Sequence, residues 1–157
     1  ACWGEHNNGK WGPECGCQSG YQGRVEHECV HADRRNQSCW LHAVCAPAPC
    51  TLNNSNQQPG PACRCKNGYM GNITWNGTVP FAQCEPAPCN VRNSNKKPGS
   101  KCECLYGFAG KLTWSGSISQ GDCVEVPCTG PNSNGKSGPA CGCLDGFAAT
   151  VKLHGSE

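Results

Sequence analysis

A small disulfide-rich fold, built as a tandem array of short repeats, is what this sequence predicts, on three observations. Cysteine is far too frequent for an ordinary globular domain: 17 of 157 residues, a density that marks a disulfide scaffold. Apolar residues make up only 36% of the chain even with cysteine included, and Phe, Tyr and Trp total eleven, too little for one continuous core, so cross-links must replace burial. The cysteines recur with a fixed period, and self-similarity at 20–50 residues is the signature of a repeat architecture.

The period is read directly. Cys50, Cys63, Cys65 and Cys84 are followed by Cys89, Cys102, Cys104 and Cys123, then by Cys128, Cys141 and Cys143, with 39 residues from Cys50 to Cys89 and again from Cys89 to Cys128. Other residues keep the same register: Asn54-Ser55-Asn56, Asn93-Ser94-Asn95 and Asn132-Ser133-Asn134; Pro59-Gly60 and Pro98-Gly99, replaced by Ser137-Gly138; Gly20-Tyr21, Gly68-Tyr69, Gly107-Phe108 and Gly146-Phe147. Four-residue spacers, Ala-Pro-Ala-Pro, Glu-Pro-Ala-Pro and Val-Glu-Val-Pro, join Cys45 to Cys50, Cys84 to Cys89 and Cys123 to Cys128.

The first copy opens with Cys2, Cys15 and Cys17 and closes with Cys45. It is nine residues longer than its siblings and carries two extra cysteines, Cys29 and Cys39, read as a pair stapling the insertion. The repeats therefore span residues 1–45 (with the insertion), 46–84, 85–123 and 124–157. The last lacks its fourth cysteine, which leaves Cys143 as the odd one out: an internal fragment of a longer array, a free thiol in a complete protein, or an intermolecular bridge. No secretory leader precedes Ala1-Cys2, so a mature product or internal fragment is expected.

Within a repeat, residues 69–81 read as a hairpin. Ile73-Thr74-Trp75 is β-branched and aromatic, Asn76-Gly77 is a type I′ turn signal, and Thr78-Val79 returns. Leu112-Thr113-Trp114 with Ser115-Gly116, and Val151-Lys152-Leu153 with His154-Gly155, repeat the pattern. No segment has helical periodicity.

The run Cys63-Arg64-Cys65-Lys66-Asn67-Gly68-Tyr69-Met70-Gly71, repeated from Cys102 to Gly110, resembles the C-terminal half of EGF modules, and the resemblance extends over nearly the whole chain. Each repeat here has four cysteines where an EGF module has six. The resemblance implies pairing of first to second and third to fourth: Cys50–Cys63 and Cys65–Cys84, then Cys89–Cys102, Cys104–Cys123 and Cys128–Cys141, with Cys2–Cys15 and Cys17–Cys45 in the first copy. Arrays of such shortened repeats look like those of very large extracellular proteins of algae and protists, some of which form flagellar hairs (mastigonemes).

Several chemistries are weighed on their residues. His27, Cys29, His31, Cys39, His42 and Cys45 cluster in the insertion and supply enough ligands for tetrahedral zinc, but a stapled loop with solvated histidines is the preferred reading. The spacers lack the oxygen ligands a calcium site needs. Acids and bases do not recur at paired spacing and no nucleophile motif occurs, so no enzymatic activity, metal or cofactor is expected. Asn36, Asn53, Asn72 and Asn76 begin N-x-[ST] sequons and are expected to carry glycans. Trp75 and Trp114 share a register that becomes Leu153 in the fourth copy, which fits packing better than ligand stacking. A net charge of +2 without a basic stripe argues against nucleic acid, and no apolar run is long enough to span a bilayer.

The expected function is a secreted or cell-surface structural glycoprotein: a rod or fibre-forming segment whose partners are further repeats or copies of itself. An adhesion or receptor-binding module is the alternative, with binding placed in the first copy around Val30 to Ser38, Arg34-Arg35 and Trp40. A secreted toxin or inhibitor fits the regular period less well.

Overall fold

The computed structural model describes residues 2–33 and 36–149, the side chains of residues 30–38 excepted. The expected fourth hairpin, Val151-Lys152-Leu153 with His154-Gly155, lies outside them, as do Arg34 and Arg35 and the side chains of His31 and Asn36. Among the described residues there is no α-helix, and so no helix long and apolar enough to cross a membrane. The fold is small, disulfide-rich and built from short β-hairpins, which is compatible with EGF-like modules. Eight disulfides fit an oxidising, extracellular compartment.

The chain forms two compact units, residues 1–66 with 71–84, and residues 67–70 with 85–157. In the first unit, β1 (Cys2–Trp3), β2 (Tyr21–Asp33) and β3 (Asn36–Pro47) make a three-stranded sheet in the order β1-β3-β2. β2 and β3 are antiparallel, and Tyr21 opposes Pro47 at the base. The nine-residue insertion lengthens this hairpin; it does not form a loop. The same unit holds the hairpin of β5 (Thr74–Asn76) and β6 (Val79–Phe81). In the second unit, β4 (Tyr69–Met70) pairs with β7 (Glu85–Pro86), β8 (Phe108–Ala109) with β11 (Val124–Glu125), and β9 (Thr113–Ser115) with β10 (Ile118–Gln120).

The spacers are consequently parts of sheets and not free linkers. Ala46-Pro47, Glu85-Pro86 and Val124-Glu125 each pair with the strand that follows a C-x-C motif. Gly23, Gly71 and Gly110 allow this closeness. A Cβ added at any of them would stand 1.8–2.4 Å from a carbonyl oxygen, of Val44, Gln83 and Asp122 respectively, so the last Gly of the signature is a close-approach residue.

The turns differ from expectation by one residue. Asn76 opposes Val79 and Ser115 opposes Ile118, so the two-residue loops are Gly77-Thr78 and Gly116-Ser117. Gly77 has φ +59° and Gly116 +58° while Thr78 and Ser117 stay at negative φ. This is the Gly-first pattern of a type II′ turn, which needs positive φ only once. Asn76 is left in the strand, and a glycine carbonyl is set at the hairpin tip.

What counts as core is largely sulfur. Among the described residues, seven of the eleven buried hydrophobic ones are disulfide cysteines, the rest being Ala43, Ala48, Ala87 and Val91. In the second unit Cys89, Val91, Cys102 and Cys123 form a cluster edged by Phe108, Leu112 and Trp114.

Candidate functional site

Disulfides join Cys2–Cys15, Cys17–Cys45, Cys50–Cys63, Cys65–Cys84, Cys89–Cys102, Cys104–Cys123 and Cys128–Cys141, first to second in all four copies and third to fourth in the first three, with Cys29–Cys39 bridging β2 and β3. Cys143 is the free cysteine among the described residues and is half-buried. The histidine and cysteine cluster of the insertion is dispersed accordingly. Cys29, Cys39 and Cys45 are consumed by disulfides. His27 and His42 sit at positions of opposite parity on the hairpin, opposing Leu41 and Glu26 respectively, and so lie on opposite faces.

The asparagine motif is a loop clamp. Asn93 takes positive φ (+57°), which Asn tolerates better than most residues. Ser94, 2% exposed, donates to the Val91 carbonyl at 2.7 Å. Asn95 accepts from the Lys97 and Glu103 amides at 3.0 and 3.2 Å and donates to the Lys101 carbonyl at 2.9 Å. Asn56 and Asn134 make the same three bonds in their copies. The first copy has this clamp too, as His6-Asn7-Asn8. His6 has φ +57°, Asn7 accepts from the Gly9 amide, and Asn8 accepts from Lys10 and Gly16 and donates to Glu14. Counting four residues from Cys2, as from Cys50 to Asn54, would have found it. Replacing Asn95 by Ala is expected to lower stability by about 1–2 kcal/mol, since two backbone amides lose their acceptor at a site water can partly reach. Asn95→Asp, which keeps the acceptor, should cost less. Thermal unfolding followed by circular dichroism compares the two.

The clamp also bears on the sequons. Asn53, Asn72 and Asn76 are exposed. The hydroxyl of the Asn53 sequon is Ser55, 7% exposed and bonded to the Leu52 carbonyl, and that of the Asn72 sequon, Thr74, reaches the Phe81 carbonyl. Thr78, in the Asn76 sequon, stands exposed in the turn.

The five tryptophans divide into two groups. Trp75 and Trp114 are half-buried and serve as joints between repeats. The Trp75 ring lies 3.5 Å from where a Cβ on Gly20 would stand, and Trp114 covers Gly68 in the same way. The Gly20 amide donates to the Gly77 carbonyl at the next hairpin tip, and the Gly68 amide to that of Gly116, both at 2.8 Å. The Gly20 carbonyl accepts from Ala48, and the Ala48 carbonyl from Gly60. The same relay runs through Gly68, Ala87 and Gly99, and through Gly107, Val126 and Gly138.

Trp3, Trp11 and Trp40, all in the first copy, are 46%, 73% and 45% exposed. Trp3 stacks on His42 with ring centroids 4.0 Å apart. Its strand β1 runs parallel to β3, with Trp3 beside His42 and Cys2 beside Leu41. By parity Trp40, His42 and Val44 share one face with Glu28, Glu26 and Arg24 opposite them. Ala43, 1% exposed, is on the other face. Among the described residues, an outward aromatic stripe beside charges of both signs is thus peculiar to the first repeat.

No family model matches this chain, and neither does any curated protein or solved structure.

Proposed function

We propose that the chain is a segment of an extracellular structural glycoprotein, in which a longer array of shortened EGF-like repeats forms a rod or fibre of the mastigoneme type. The observation that carries this reading is the recurrence of one joint. A tryptophan from the following hairpin covers a glycine, and a hairpin-tip carbonyl takes that glycine's amide, at Gly20 and again at Gly68. A joint repeated atom for atom is what propagates length in a linear array, where each unit contacts only its neighbours. Eight disulfides along 157 residues make such a product resistant to proteolysis, and the sequons add a solvated coat.

Non-reducing peptide mapping of native material, glycans retained, followed by electron microscopy tests the proposal. The expected result is glycan on the sequons, the eight bridges above, peptides that carry the repeat onward to a partner for Cys143, and filaments in the images. Compact particles with Cys143 unpaired would count against it.

The aromatic stripe favours one second reading, an adhesion module acting through the first repeat. Trp3→Ala/Trp40→Ala is then expected to abolish attachment to cells or matrix, while an exposed control change such as Lys66→Ala leaves it intact.

A further inference from the structure

The first repeat has a sheet edge that its siblings lack. β2 runs for 13 residues as the outer strand of its sheet, whereas β4 and β8 at the same register are two residues long. Among the described residues, no backbone bond joins residues 22–29 to anything but β3. Long unpaired edges are templates for another strand, and proteins blunt them with charge. Here the charges are of both signs: Gln22, Arg24, Glu26 and Glu28 share the outward face, exposed or half-buried, with one cation followed by two carboxylates.

We propose that this edge pairs with the same edge of a second copy, antiparallel, about a twofold axis at Val25. In that register Arg24 of each copy opposes Glu26 of the other, Gln22 opposes Glu28, and Val25 meets itself on the opposite face. Charge selects this register over its neighbours. Centred on Arg24 or Glu26, a residue would oppose its own like charge; centred on His27, Glu26 would oppose Glu28. Like charges directly opposite destabilise a sheet, and opposite charges contribute. Pairing about a residue also sets outward amides against outward carbonyls, so the two three-stranded sheets fuse into one. The contact is isologous and closes on itself. It places a lateral contact on the first repeat and leaves the Gly–Trp joints as they are. It rests on the proposed assembly role, of which it names the self-contact.

Sedimentation equilibrium of the intact chain, with Cys143 alkylated to exclude thiol bridging, tests it. A monomer–dimer equilibrium is expected, with amides of residues 22–28 gaining protection from hydrogen exchange as concentration rises. Arg24→Glu and Glu26→Arg each turn two opposite-charge contacts into like-charge ones and should weaken the dimer roughly tenfold. The double variant Arg24→Glu/Glu26→Arg should restore it. These side chains are exposed (77% and 43%), so all three variants fold, as circular dichroism will verify. A chain that stays monomeric, a dimer indifferent to Arg24→Glu, or a double variant that fails to recover overturns the edge pairing. None of these results touches the peptide map on which the array proposal depends.

Discussion

Removing the Cys104–Cys123 bridge as Cys104→Ala/Cys123→Ala is expected to unfold the third repeat at temperatures the parent chain withstands. The bridge spans 19 residues, and loss of such a cross-link costs about 3 kcal/mol through the freedom it restores to the unfolded chain. Two further losses add to that. Cys123 is 6% exposed and belongs to the cluster with Cys89, Val91 and Cys102, so its removal leaves a cavity where little else is buried. The Asn93 side chain also bonds the Cys123 backbone carbonyl, which the substitution keeps but which the lost bridge no longer holds in place. The matched control is Cys29→Ala/Cys39→Ala. That bridge spans 10 residues, and halving the loop changes the entropic part by only about 0.6 kcal/mol. Its sulfurs are exposed on a hairpin already held by paired strands. The two variants should therefore differ chiefly through burial. Limited proteolysis with mass readout should show cuts within residues 89–123 in the first variant and an intact second unit in the control. Equal susceptibility would mean that the sulfur core contributes nothing beyond its cross-links.

The sequence showed the period, the punctuation and the chemistry of compartment, because these depend on residue identity at fixed spacing. Gly20, Gly68 and Gly107 were visible as a register, but what each one faces was not. The tryptophan over Gly20 belongs to the next copy, 55 residues later, and no local pattern carries that information. The hairpin turns lie one residue beyond where Asn-Gly, the stronger local signal, places them. The structure instead puts Gly77 first in the loop, where its carbonyl meets the Gly20 amide. The clamp in the first copy is hidden in the sequence because His6-Asn7-Asn8 shares only one residue with Asn-Ser-Asn. Its role rests on backbone conformation and acceptor position, which Asn7 fills as Ser55 does. The metal cluster was legible only as a list of ligand types; the disulfides take its cysteines and strand parity puts His27 and His42 on opposite faces. The stripe of Trp3, His42 and Trp40 depended on β1 adding in parallel to β3, a pairing that two residues of sequence do not announce.

Substituting Gly20 by Val is expected to break the first joint and to distinguish a jointed array from repeats that are merely strung together. Gly20 has φ +89°, a region that L residues with branched side chains strongly avoid, and that strain alone costs about 1–3 kcal/mol. The new side chain would also enter the space of the Trp75 ring, which stands 3.5 Å from the ideal Cβ. Two backbone bonds depend on the same residue, Gly20 to Gly77 and Ala48 to Gly20, and Ala48 is fully buried. Displacing the hairpin would expose Trp75 and leave these groups to water, while both disulfides of the second repeat remain closed. The signature is thus a red-shifted tryptophan emission and a new protease site near residues 46–49, without change in the disulfide map. Trp75→Ala should reproduce the protease sensitivity without the backbone strain, which isolates the ring's share. If Gly20→Val left both the emission and the spacer's resistance unaltered, the joint would not be what fixes one repeat on the next, and the case for a length-propagating array would lose its physical basis.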